Sequence, residues 1–360
     1  MPVQTISIDR FRNLKPVTLQ CSPQLNLFTG ANAAGKTSVL ESLYILGRAR
    51  SFRTRSLEKA IQTGNDRFQL VAKVRLDTGR GVPVGISQQD KQLLARIDGK
   101  TVKRLSDLAA LFPVHWIGGN LHRLIDDGPA HRRQYLDWGL FHVKPGYISV
   151  WQRYQILLKL RNAALRARRP APEIRIWDNE LSVAGEELHA FRYAYSLQLG
   201  AASHTVIREL LGESAELEIA YRPGWHADLP FRDALRAGLE KDRERGFTRF
   251  GPHRADVSLL CNELPVSELL SRGQQKLLVV GLQVAQARLL KEGSARTSLF
   301  LIDDLGSELD SGNQARVMSI LGRLEAQVFA TAIHLPDVSG WSMDTVKRFH
   351  VKHGCVSEVV

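Results

Sequence analysis

Two hydrophobic periods alternate along the chain and divide it into three stretches. Up to about residue 125 the apolar positions recur at strand spacing: residues 5–9 alternate, and 25–29 form an apolar run that ends at Gly30. From Thr37 the period changes, with Val39, Leu40, Leu43 and Leu46 three to four residues apart, which predicts a helix. Residues 68–76, 82–87 and 93–97 then read as strands separated by Gly and Asp turns. Between Asp137 and about Leu211 the spacing is helical. Tyr147, Trp151, Tyr154, Leu158 and Leu165 mark one stripe, and Trp177, Leu181, Ala184, Leu188 and Phe191 another. Arg168-Arg169-Pro170-Ala171-Pro172 breaks the two, because proline cannot continue a helix. Both stripes read as packing faces, and neither is a sustained heptad, so no long coiled coil is expected. Beyond Phe250 alternation returns, with strands predicted over 255–260, 299–302 and 328–331 and helices over 274–290 and 314–324.

Composition adds a sign to this outline. The 360 residues carry 49 Lys and Arg against 37 Asp and Glu, a net charge of +12 that favours a polyanionic partner, nucleic acid or an anionic membrane face. The most apolar stretch, 277–290, is interrupted by Gln283, Gln286 and Arg288, so no membrane span is expected, and the first twelve residues lack the apolar core of a secretory signal. Cys21, Cys261 and Cys355 are odd in number and far apart, and read as incidental thiols of a cytoplasmic protein rather than a disulfide or metal framework.

The chemistry begins where the first apolar run ends. Gly30-Ala31-Asn32-Ala33-Ala34-Gly35-Lys36-Thr37 fits the phosphate loop Gly-x4-Gly-Lys-Ser/Thr, and Ser38 follows it into the helix. Glycines let the backbone turn and aim N–H groups at phosphates. Lys36 brings a point charge to the β and γ oxygens, the Thr37 hydroxyl is a Mg²⁺ ligand, and the helix start favours an anion. Leu299-Phe300-Leu301-Ile302-Asp303-Asp304 supplies the complement, an apolar strand ending in two carboxylates, with Asp303 placed to hold Mg²⁺ and Asp304 to polarise a water.

A third segment, Leu270-Ser271-Arg272-Gly273-Gln274-Gln275, resembles the LSGGQ-type signature of ABC ATPases, with Arg272 in place of the usual first glycine; a Ser/Gly helix cap is the plainer alternative. Ser307-Glu308-Leu309-Asp310 resembles the D-loop of the same class, through Ser307 and Asp310, and His334 lies near the position of its switch histidine. Phe11-Arg12-Asn13-Leu14, Gly128-Pro129, Arg132-Arg133, Leu136-Asp137 and Gly251-Pro252-His253-Arg254 with Asp256 narrow the resemblance to the RecF family, relatives of the structural-maintenance-of-chromosomes proteins. The Ala33-Ala34 pair stands where that family more often has a glycine, a change expected to be sterically mild, and no Q-loop glutamine is evident over 114–120.

The resemblance implies an α/β ABC-type ATPase head built from both ends of the chain, with a helical insert and no long coiled coil. The expected boundaries are 1–125 for the lobe with the phosphate loop, 126–245 for the insert, and 246–360 for the part with signature, acidic pair and D-loop. It further implies a slow, DNA-stimulated ATPase using ATP and Mg²⁺. Two copies would close on ATP, with Ser271, Gly273 and Gln274 of one capping the nucleotide of the other. The implied DNA is single-stranded, gapped or junction duplex, and the implied partners are RecR, with RecO and RecA. Arg48, Arg50, Arg53 and Arg55 beyond the phosphate-loop helix, and Arg161, Arg166, Arg168 and Arg169 on the insert, are candidate contacts to DNA backbone, against the plainer reading of solvated faces. Two rivals are the nucleotide-binding subunit of an ABC transporter and a passive DNA-binding protein that uses ATP structurally.

Overall fold

The computed structural model describes residues 2–76, 79–119, 121–294, 296–304, 306, 309–333, 338 and 340–359. Ser307 and His334 lie outside these. Cα packing divides the chain into two compact units, residues 1–121 with 290–360, and residues 122–289.

The N-terminal portion of the first unit contains β1 (Val3–Asp9), β2 (Val17–Gln20), β3 (Leu25–Thr29), α1 (Lys36–Arg48), β4 (Arg67–Arg75), β5 (Gly81–Gln89), β6 (Gln92–Ile97), β7 (Lys100–Thr101), α2 (Leu105–Leu111) and β8 (Val114–Ile117). An antiparallel sheet of order β2-β1-β4-β5-β6-β7 forms from the alternating strands. Its period-two pattern buries Ile6, Ile8, Leu70, Ala72, Val84 and Ile86 and leaves the intervening residues outside the core. The apolar face of α1, with Val39, Leu40, Leu43 and Leu46, belongs to the same core.

The second unit contains α3 (Arg123–Asp126), α4 (Pro129–Val143), α5 (Tyr147–Arg166), α6 (Ala171–Arg175), α7 (Asp178–Leu211), β9 (Leu217–Arg222), α8 (Phe231–Arg245), β10 (Asp256–Cys261), β11 (Leu264–Pro265), α9 (Val266–Leu269) and α10 (Arg272–Ser294), which runs on past the division. The helical stripes are packing faces: Tyr154, Leu158 and Leu165 on α5 and Leu181, Ala184 and Leu188 on α7 are buried. The second expected boundary moves from 245/246 to 289/290. Strand β10 pairs antiparallel with β9 from Asp256↔Arg222 to Cys261↔Leu217, which draws the signature segment into the helical unit. The first moves only from 125/126 to 121/122.

The C-terminal portion adds β12 (Leu299–Ile302), α11 (Ser311–Arg323), β13 (Gln327–Ala332), β14 (Val346–Lys352) and β15 (Cys355–Val359) to the first unit. They complete a sheet of order β15-β14-β3-β13-β12-β8, parallel except for β15. Strands buried on both faces read as continuous apolar runs, which is why β3, β12 and β13 were legible as such. Phe28 of β3 stacks on Phe349 of β14 at 4.8 Å between ring centroids, and its ring lies 6.3 Å from that of Phe329 on β13. The carboxyl ends of β3, β12 and β13 therefore lie side by side, where ligands bind in sheets of this kind.

Candidate nucleotide site

The loop from Gly30 to Gly35 joins β3 to α1 and is shaped by positive φ angles at three residues. Gly30 has φ +147° and Gly35 +119°, and a side chain at Gly30 would run into the Val351 carbonyl. At Gly35 a Cβ would stand 2.8 Å from Leu14 Cδ2. Both glycines are thus required by conformation and by space. Ala33 is the third, at φ +63°. The departure from glycine there is less mild than expected, since the left-handed region costs a residue with a Cβ about 1–2 kcal/mol. Asn13 steadies the loop: its Nδ2 donates to the Ala33 carbonyl (3.2 Å) and its Oδ1 accepts from the Ser38 hydroxyl (3.1 Å). The Lys36 ammonium lies back across the loop and donates to the carbonyls of Gly30 (2.6 Å) and Ala31 (3.0 Å).

The acidic strand closes the other side. The Thr37 hydroxyl donates to the Asp303 carboxylate, 2.9 Å from Oδ1 and 3.1 Å from Oδ2. Thr331 completes the arrangement: its hydroxyl donates to Asp303 Oδ1 (2.7 Å) and accepts from the Asp304 backbone N–H (2.8 Å). The parallel register pairs Ile302 with Ala330, so the next residue of each strand, Asp303 and Thr331, meet. Sequence reading missed Thr331, although a threonine ending a buried strand beside an acidic strand is a signal of this kind. Asp304 has φ +50°, a conformation that short polar residues tolerate best.

These groups line a cleft of about 770 Å³. Among the described residues no cluster of three or more His, Cys, Asp or Glu is placed to hold a metal. The Thr37 hydroxyl and the Asp303 carboxylate on one cleft instead fit Mg²⁺ arriving with phosphates, because that ion keeps waters and takes few protein ligands. Arg12 and Arg53 also line the cleft, and both guanidinium groups reach the buried carboxylate of Glu41 on α1.

Ser271, Gly273 and Gln274 are exposed at the start of α10. The Gln274 side chain accepts from the Ser271 N–H (2.9 Å), and the Ser271 hydroxyl accepts from the Gln274 N–H (3.4 Å), a capping box. A Cβ at Gly273 would meet nothing within 4 Å, so the packing of the chain itself does not require that glycine. The Arg272 guanidinium pairs with Asp126. Asp310 caps α11, its carboxylate accepting from the Asn313 N–H (2.9 Å), a bond that lowers its pKa.

The eight basic candidates separate by burial. Arg50, Arg53, Arg55, Arg166, Arg168 and Arg169 are exposed. Arg48 donates to the Val114 carbonyl and lies over the Tyr44 ring, and burial pushes its pKa down to about 10. Arg53 is turned toward Glu41 in the cleft. Arg161 is not a surface residue. Its side chain is fully buried, bonded to Asp178 (2.8 Å), Asp242 (2.9 Å) and Thr248 (2.8 Å), so it is no DNA contact.

The segments that carried the family resemblance in the insert meet in half-buried pairs. Arg132 grips Asp256 with two bonds, Arg133 donates to the Ala255 carbonyl, and Arg192 grips Asp137 while donating to the Pro252 carbonyl. His253 Nε2 faces the Thr248 carbonyl (2.9 Å), which fixes the proton there, and Nδ1 accepts from the Tyr154 hydroxyl (2.7 Å). Burial lowers the His253 pKa to about 4.

Known proteins agree with this architecture. The RecF/RecN/SMC N-terminal domain family matches residues 2–357. The DNA replication and repair protein RecF of Nitrosococcus oceani is 39% identical over 363 residues, covering 100% of both chains. That of Chromohalobacter salexigens is 40% identical over 357 residues, covering 98% of this chain and 99% of the relative. Among solved structures, the recombination mediator protein RecF-ATP of the RecFOR pathway superposes with a TM-score of 0.86 at 24% identity, covering 100% of this chain and 98% of that one. An Smc head bound to the C-winged helix domain of ScpA follows with a TM-score of 0.64 at 13% identity, covering 100% and 97%. The fold is thus an α/β head of the kind shared by RecF and SMC proteins, without a long coiled coil, and the chain belongs to the RecF family.

Proposed function

We propose that this chain is an ATP-dependent DNA-binding switch in replication and recombinational repair. The observation that carries the reading is the convergence of Lys36, Thr37 and Asp303 on one cleft at the ends of β3 and β12. Mg-ATP would rest on the loop from Gly30 to Ser38, with Lys36 leaving the carbonyls of Gly30 and Ala31 for the phosphates, Thr37 and Asp303 holding the cation, and Asp304 polarising the attacking water. Ser271, Gly273 and Gln274, all exposed, with Gly273 not needed by its own chain's packing, would cap the nucleotide of a second copy, with Ser307 and Asp310 as the D-loop and His334 as the switch.

Residues 1–121 carry 18 Lys and Arg against 8 Asp and Glu, which supports binding to a backbone of phosphates. Arg50, Arg55, Arg166, Arg168 and Arg169 are the proposed contacts. Gapped or junction DNA, slow DNA-stimulated hydrolysis, cooperation with RecR, RecO and RecA, and a cytoplasmic location complete the reading, in keeping with the names of its relatives. Among the described residues no helix is long and apolar enough to cross a membrane.

Sedimentation with and without ATP, on gapped and on blunt duplex DNA, tests this. The expected result is ATP-dependent dimers that favour gapped DNA, lost in Lys36→Ala. Near-normal ATP affinity in Lys36→Ala would overturn the site assignment.

A further inference from the structure

The buried carboxylate beside the cleft has no role in the reading above. Glu41 lies on α1, the helix that begins with Lys36 and Thr37, and its side chain is 0% exposed. Burying a carboxylate is costly unless it is fully bonded, and this one is. Oε2 accepts from Arg12 Nε (2.9 Å) and Oε1 from Arg12 Nη2 (2.6 Å), a two-bond grip. Oε1 also accepts from the Ser51 hydroxyl (2.5 Å), and Oε2 from Arg53 Nη1 (3.5 Å). Ser51 Oγ in turn accepts from the N–H groups of Arg53 (2.9 Å) and Thr54 (3.1 Å), so its bond to Glu41 fixes the turn that carries Arg53. Arg12 is held at a third point, Nη1 to the Lys59 carbonyl (2.7 Å).

Arg12 and Arg53 line the cleft and Glu41 does not. Arg12 and Arg53 come from different segments, 41 residues apart, and a single carboxylate on the phosphate-loop helix brings their guanidinium groups to one wall. An apolar side chain at position 41 would pack the core as well but would orient neither arginine.

We propose that Glu41 is a positioning residue of the nucleotide site: without touching the ligand, it holds Arg12 directly, and Arg53 directly and through Ser51, where they meet the anionic part of the nucleotide. This rests on the reading of the cleft as an ATP site. Arg53 is the longer contact and, at 46%, the more exposed arm, whereas Arg12 is the more firmly anchored.

The test is Mg-ATP affinity of the full chain, measured with a fluorescent analogue, alongside the melting temperature without nucleotide. Glu41→Gln keeps the shape but removes the charge and one acceptor, and should weaken binding about tenfold. Arg53→Ala should also weaken it about tenfold, and the double variant should bind no worse than about the weaker single one, because a mispositioned Arg53 contributes little. Affinity of Glu41→Gln equal to the parent, or a double variant at the product of the two losses, overturns the proposal. Should Glu41→Gln fail to fold, Ser51→Ala decides: it keeps every charge, should bind about threefold more weakly, and parent-like affinity would refute the positioning role. If the parent fails to bind ATP, or Lys36→Ala binds like the parent, the underlying site assignment fails first and the proposal with it.

Discussion

The nucleotide cleft and the polar network of residues 122–289 are built from the same side chains, arginine against carboxylate, and differ in whether the charges are spent. Around Arg161 the charges face one another inside a helical core and burial has sealed them from water, while buried Arg192 faces a half-buried Asp137. In the cleft, Lys36 donates to two backbone carbonyls and Asp303 accepts from two hydroxyls, neutral partners that a phosphate or a cation would displace. An ion pair that is closed on itself specifies a fold. A charge held by neutral groups at the end of a strand is available for chemistry.

The comparison can be broken most forcefully at Asp304. Asp304→Asn keeps the size and tolerates the left-handed backbone, but presents no negative charge to a water. Hydrolysis should slow by about 10²–10⁴-fold in a single-turnover assay with ATP binding retained, and unaltered hydrolysis would move the water-polarising role elsewhere.

On the closed side, Arg161→Ala strips the counter-charge from buried Asp178 and leaves buried Asp242 with Arg249 alone. It should destabilise the protein by about 3–5 kcal/mol in chemical denaturation, against at most about 0.5 kcal/mol for exposed Arg168→Ala. Equal effects of the two would mean that burial does not separate these arginines.

His253 sharpens the contrast through pH. An unfolded histidine takes up a proton below about pH 6.5, whereas His253 stays neutral in the fold down to about 4. In between, the unfolded state binds more protons, so this contribution is complete above about pH 6.5 and is lost as pH falls toward 4, about 3 kcal/mol in all. His253→Gln should flatten the slope of stability between pH 7 and 5 relative to the parent. Parallel slopes would show that this group does not titrate against folding.

The smallest effect is expected in the phosphate loop itself. Ala33→Gly relieves the positive φ but frees the unfolded chain, and the two should cancel to within about 1 kcal/mol, with ATP affinity unaltered. A larger gain in denaturation midpoint would mark real strain stored at Ala33.

The elements around the cleft were legible because each has a period of its own. The strands at 25–29 and 299–302 match β3 and β12 residue for residue, and the helix expected over 274–290 lies within α10. Strands β8, β9, β14 and β15 and helix α8 were not recognised. The β8 run is short, Val114-His115-Trp116-Ile117, and its polar member is buried, with Phe300 of the neighbouring strand stacked on it. Arg161 was misread for a related reason: its partners are 17 and 81 residues away, and local spacing carries no trace of them. Thr331, Asn13 and Glu41 depend likewise on pairings that form only once the sheet has its register.

The position of β3 has a consequence for how the protein comes into being. Leu25 pairs with Val328 on one side and Val346 on the other, so the strand that carries the phosphate loop gains both neighbours from residues 327–352. During synthesis, at about 5–20 residues per second, some 300 residues emerge between the loop and those flanking strands, a delay on the order of tens of seconds. Residues 122–289 are contiguous and can fold in that interval, whereas the apolar run 25–29 must wait beside a half-built sheet. The nascent chain should therefore be unable to retain ATP until residues 327–352 have emerged, and during that wait its exposed strand is a natural client for chaperones.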